Sequence, residues 1–128
     1  LPARPPMLPA VNFDTGSSAI PGSEEASITR AKEILQTSDW SVVVVGLADA
    51  TGDAAANKVL SEQRAEAVAS RLRQVVPSSR VIVYSVGERL ATGGPDFTER
   101  KVEFVFFHPT GLPIRDVVAR SRAIEDAR

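Results

Sequence analysis

Residues 40–68 read WSVVVVGLADATGDAAANKVLSEQRAEAV, and the fold is decided inside them. After Ser41 the run VVVVGL is apolar and rich in β-branched residues, with no polar alternation. That is the pattern of a strand buried on both faces of a sheet. A loop of small residues follows, and a helical period then runs from roughly Ala56 to Val76. At about 100° per residue, Asn57, Ser61, Arg64, Val68, Leu72 and Val75 fall along one side of that helix. The carboxyl half of this stripe is an ordinary core face, whereas its amino half is polar. A doubly buried strand followed at once by an amphipathic helix implies an α/β arrangement.

The flanking sequence extends the pattern. AVNFD (10–14) reads as a short strand, closed by a loop punctuated by Gly16, Pro21 and Gly22. Ser23 or Ser27 is placed to cap a helix through about Gln36, with Ile28, Ala31, Ile34 and Leu35 at helical spacing. RVIVYSV (80–86) is a third strand, residues 87–100 are loop-like, and KVEFVFF (101–107) is β-prone although it alternates poorly. Beyond Pro113, the residues Ile114, Val117, Val118 and Ile124 predict a helix packed on the body or on a partner, the latter a route to a dimer. The fold class expected is therefore an α/β (α+β) sandwich. It has a βαβαβ-β mixed sheet with helices packed on one face, plus a C-terminal helix. Residues 1–10, with four prolines, read as an extended linker from something upstream; 11–108 form the domain, and 109–128 a helical extension.

Composition narrows the function. A chain of 128 residues suits one domain, and a net charge of −1 gives no basic field for nucleic acid or an anionic membrane. No apolar run approaches the roughly 20 residues that span a bilayer. Without cysteine there are no disulfides, thiolate zinc sites or cysteine nucleophiles. The first ten residues lack the pattern of a signal peptide, which leaves the compartment open.

Two charges stand out. Asp49 lies in the loop beyond the carboxyl end of the buried strand, where open α/β sheets often bind ligands. Arg64, if turned inward, needs an acceptor, since an unpaired buried charge is costly. Arg71 also falls near the edge of the stripe, so periodicity alone does not single out Arg64. Blander readings stand beside these: Asp49 bonding its own loop backbone, and Arg64 solvated and paired with Glu66 or another neighbour. Asp49 and Asp53 lack the oxygen-ligand pattern of a calcium loop, and no metal site or cofactor is expected. The loop also lacks both glycine-rich nucleotide motifs. His108 is the only histidine, and although serine and aspartate are plentiful a catalytic triad would arise only by accident.

Gly46, Asp49, Gly52, Asn57, Leu60, Ser61, Arg64, Ala65 and Val68 stand in the register G-x-(T/A)-D-x-x-G-x-x-x-x-N-x-x-L-S-x-x-R-A-x-x-V. That motif resembles the OmpA-like C-terminal domains. These are the peptidoglycan-binding modules of Gram-negative outer-membrane proteins, peptidoglycan-associated lipoproteins and flagellar stator proteins. VNFDTGSSAI, VGER and ERKVEFVF are similar to the family's opening strand, its G-x-G-E turn and its closing strand, so the resemblance spans roughly residues 10–107. It implies non-enzymatic binding of peptidoglycan through the diaminopimelate of the peptide stem, in the periplasm. Any membrane attachment would lie in an upstream region. In the family the aspartate matching Asp49 takes the ammonium of diaminopimelate, and the arginine matching Arg64 takes its carboxylate. Asn57 would orient the ligand, Phe13 and Leu60 would line its aliphatic chain, and Arg100 would add a second positive group. Arg64→Ala is then expected to remove binding while leaving the fold intact. The chain departs from the family at Leu47, Ala48, Glu99 and Lys101, which raises the alternative of a divergent module that has lost wall binding and serves as a protein-interaction domain. Nothing supports a hydrolase.

Overall fold

In the computed structural model, which describes residues 4–47, 53–87, 100–108 and 116–119, the valine run forms strand β2 (Ser41–Leu47) and every residue of it is buried. It is preceded by β1 (Val11–Asn12) and helix α1 (Glu25–Thr37). It is followed by helix α2 (Ala54–Leu72), β3 (Val81–Gly87) and β4 (Lys101–Phe107). The strands form one mixed sheet in the order β1-β4-β2-β3. Strands β2 and β3 are parallel, and α2 supplies the crossover that a parallel pair requires. Strand β4 runs antiparallel to both β1 and β2 and lies between them. This is the expected α+β arrangement, in the expected order.

Two cores sit on the two faces of the sheet. On one face Val42 and Val44 join Val102, Phe104 and Phe106 of β4 beneath Ile28, Ala31 and Leu35 of α1 and Ala65, Val68 and Leu72 of α2. On the other, Val43, Val45 and Leu47 gather with Val105 and with Val118 from a short helical segment at residues 116–119. Strand period explains the division, because successive side chains of β2 point to opposite faces and both faces are covered. The poor alternation of KVEFVFF has the same cause. Val102, Phe104 and Phe106 face the helices, while Val105 and Phe107 belong to the second core.

Val118 is 4% exposed and Val117 half-buried, so the extension packs on this chain's own sheet. Ile114 and Ile124 lie outside the described residues. Burying two valines contributes about 2 to 4 kcal/mol before ordering entropy is subtracted. Deleting residues 113–128 is therefore expected to lower the melting temperature by several degrees, roughly 4 °C or more. An unchanged melting curve together with an unchanged solution mass would show that the segment adds nothing.

One detail differs from expectation, and two are added to it. Helix α1 is capped by neither Ser23 nor Ser27. A 3-10 turn (Gly22–Glu24) leads into it, and Glu24 occupies the cap position without a side-chain cap bond. Part of the proline arm lies along the domain. Pro6, Leu8 and Ala10 are half-buried while Pro5, Met7 and Pro9 are exposed, and Leu8 packs on the helix-side core. Arg71, the residue that blurred the helical stripe, faces α1 and donates both Nη1 and Nη2 to the Glu25 carboxylate at 2.8 Å each. These bonds hold the Glu25 carboxyl below its ordinary value.

Candidate functional site

The site is built on the close approach of α2 to the end of β2. A side chain at Gly46 would place its Cβ 2.1 Å from the Ser61 carbonyl oxygen and 3.2 Å from the Ala65 Cβ. Only glycine lets the helix lie this near the strand. Beside it the β2–β3 pairing slips by one residue, from Gly46 opposite Ser85 to Leu47 opposite Gly87. A bulge of this kind ends regular pairing and re-aims the chain, here just before the Asp49 loop.

Helix α2 starts at Asp53, whose Oδ1 accepts from the Ala56 backbone N–H at 3.0 Å. Sequence reading weighed this aspartate only as a metal ligand. Its signal was the ordinary one of an aspartate immediately before a run of helix formers. The cap fixes where the helix begins, and thereby the angular position of everything on its face. Asn57, Ser61 and Arg64 then point inward at 9%, 0% and 1% exposure, continuing the core line of Ala65, Val68 and Leu72. The Ser61 hydroxyl is spent within the helix, donating to the Lys58 carbonyl at 2.8 Å.

Arg64 is the largest fully buried side chain among the described residues. Its Nε donates to the Ser17 carbonyl at 2.8 Å and its Nη2 to the Asp14 carbonyl at 3.0 Å. Its guanidinium carbon stands 5.3 Å from the centre of the Phe13 ring, within range of a cation–π contact. The reading of Arg64 as a solvated partner of Glu66 is thus overturned, and Glu66 pairs instead with Arg73 at 2.7 Å. The two carbonyls belong to one turn. Ser17 N–H donates to the Asp14 carbonyl at 3.1 Å, and Gly16 takes a left-handed φ of 70° between them.

Of the remaining sequence candidates, Phe13 meets this arginine directly and Arg100 is joined to it through Phe13. Phe13 is fully buried with its ring against the guanidinium, which places it as a platform for Arg64. It is tied to Arg100 by a backbone bond of 2.8 Å, and Arg100 Nε approaches the Phe13 carbonyl at 3.4 Å. Leu60 is half-buried one turn before Arg64. Asp49 lies outside the described residues. His108 belongs to the far end of the sheet, stacked on Trp40 with ring centroids 3.6 Å apart and its Nδ1 3.8 Å from Asp39. The structure thus joins Phe13, Arg64 and Arg100, and Asn57 and Leu60 lie on the same side of α2 as the arginine. It adds Gly46, Asp53 and the Asp14–Ser17 turn, which sequence reading did not assign to the site.

A model of the OmpA family matches residues 12–101. No curated protein matches the chain. Among solved structures, the peptidoglycan-associated lipoprotein from Burkholderia pseudomallei is 23% identical with a TM-score of 0.71, the match covering 77% of this chain and 89% of that one. The C-terminal domain of Helicobacter pylori MotB is 22% identical at 0.68, covering 94% and 96%. The OmpA-like domain of FopA1 from Francisella tularensis is 25% identical at 0.67, covering 74% and 68%.

Proposed function

The chain belongs to the OmpA family, and on that premise we propose that it binds peptidoglycan non-covalently, taking the diaminopimelate of the peptide stem between Asp49 and Arg64. The observation that carries this reading is the mounting of Arg64. A guanidinium at 1% exposure, its plane set by two backbone carbonyls and an aromatic ring, is costly to bury and pre-oriented for a planar anion. A carboxylate is such an anion, and the bidentate geometry gives it direction as well as affinity. The free end of diaminopimelate carries an ammonium beside its carboxylate, and Asp49 is the acceptor for it. Asn57 orients the ligand, Leu60 contacts its aliphatic chain, and Arg100 adds positive charge beside Phe13. Phe13 serves as the platform under Arg64.

The role is tethering rather than catalysis, with the domain in the periplasm and any membrane attachment through a region outside this sequence. Among the described residues no helix is long and apolar enough to cross a membrane. The rival reading, a module that has lost wall binding, draws on Lys101. It stands where the resembling motif has arginine, and it lies 3.5 Å from Glu103.

Sedimentation with purified sacculi separates the two readings. The chain is expected to co-sediment, to be released by excess free diaminopimelate, and to lose most of its binding in an Asp49→Ala variant. A parent chain that stays in the supernatant would establish the rival.

A further inference from the structure

The turn that holds Arg64 is itself held, and the residue holding it lies outside the resembling motif. Strand β1 is two residues long and among the described residues pairs only with β4, with Phe13 N–H continuing the pairing to the Arg100 carbonyl. Two paired residues fix the direction of a strand poorly. On its other side, at the edge of the sheet, Glu24 closes the gap. One carboxylate oxygen, Oε1, accepts from the Asn12 backbone N–H at 2.7 Å and from Asn12 Nδ2 at 2.9 Å. This explains why Glu24, though at the cap position of α1, makes no cap bond there. Its side chain reaches back twelve residues instead.

We propose that Glu24 is the positioning residue for the ligand-binding arginine: by clamping Asn12 against the start of α1 it fixes the Asp14–Ser17 turn whose carbonyls aim the Arg64 guanidinium. The chain of contacts is continuous. Glu24 grips Asn12, Phe13 follows as the next residue and supports the guanidinium, and the carbonyls of Asp14 and Ser17 take its N–H groups. Because both bonds end on one oxygen, a single acceptor ties the backbone and the side chain of Asn12 at once. A recognition group is only as well placed as the shell around it. This inference rests on Arg64 being the ligand's carboxylate receptor, and it adds the device that sets its direction.

Three chains test it: the parent, Glu24→Ala, and Glu24→Gln, whose amide oxygen still accepts both Asn12 bonds. Two readouts are taken. The first is proton exchange at Arg64 Nε–H by nitrogen-15 NMR, which needs no ligand. The second is affinity for a stem tripeptide ending in diaminopimelate, measured against the same peptide with its free side-chain carboxylate amidated. Glu24→Ala is expected to speed the exchange and to shrink the parent's preference for the carboxylate, with affinity falling about tenfold. Glu24→Gln is expected to retain both properties. Unchanged exchange in Glu24→Ala overturns the proposal whatever the ligand result. So does a uniform loss of affinity for both peptides, which would mark Glu24 as a general stabiliser. A parent that binds neither peptide refutes the diaminopimelate reading, while the exchange measurement still decides the clamp.

Discussion

An Arg64→Ala chain is expected to fail in two ways, melting lower than the parent and no longer sedimenting with sacculi. The sequence alone suggested that only binding would suffer. The structure corrects this, because the side chain is buried along its length and bonds two carbonyls 47 and 50 residues away in sequence. Truncation removes the side-chain donor to both carbonyls, with Asp14 keeping only the Ser17 N–H, strips the Phe13 ring of its covering and opens a cavity. The cost to stability is about 2 to 4 kcal/mol. The cost to binding is a similar 2 to 4 kcal/mol, or roughly 30- to 1000-fold. Arg64→Lys separates the two effects. It keeps the charge and most of the stem, so its melting point should lie nearer the parent's. An ammonium is a point donor without the planar fork, however, and binding should still fall by about tenfold or more. Paired thermal melts and sacculus titrations read both quantities. An Arg64→Lys chain that binds like the parent would remove the geometric part of the argument.

Gly46→Ala is expected to be the most damaging small change in the domain. The added Cβ would meet the carbonyl oxygen and carbon of Ser61 at 2.1 and 2.9 Å. Those are helix backbone atoms, which cannot rotate aside as a side-chain tip can, so α2 itself must move. Overpacking of this kind costs about 1 to 3 kcal/mol. Because the same helix carries Asn57, Ser61 and Arg64, a displaced helix also misplaces the arginine, and wall binding should decline along with stability. Gly22→Ala is the control. A Cβ there has nothing within 4 Å, and its melting point should stay within the scatter of surface substitutions. Equal melting points for the two variants would show that α2 adjusts without cost.

Much of this was legible in the sequence, and what was hidden has physical causes. The valine run announced a doubly buried strand because nothing in it alternates. The stripe from Asn57 to Leu72 was readable because helical period is fixed by geometry. The same period could not choose between Arg64 and Arg71, which differ by seven residues and so lie nearly in line. The choice is made by α1, which offers Arg71 the Glu25 carboxylate at its exposed edge. The second core was legible in the doubly buried strand and in Val117 and Val118 of the extension, but not in β4. Val105 and Phe107 looked like faults in alternation until Val118 supplied a cover for that face. Hidden most completely were the contacts across long separations. Nothing local marks the Asp14 and Ser17 carbonyls as acceptors for a residue on another element, since every residue carries a carbonyl. Glu24 is similar, because a glutamate ahead of a helix reads naturally as part of the helix.

The place of β4 in the sheet has a consequence for the order in which the domain can assemble. Strands β1 and β2 do not pair with each other, and both pair with β4, which lies near the end of the domain. A chain emerging amino end first can form β2, α2 and β3 from neighbouring contacts, yet β1 has no strand to pair with until residues 101 and 102 arrive. Long-range pairings of this kind close late, after the loop entropy they cost has been met. The Asp14–Ser17 turn hangs from β1, so the seat of Arg64 is completed by the same late event. A chain whose last strand has not yet paired carries the arginine without the surroundings that aim it, so the proposed site exists only once the whole domain has closed.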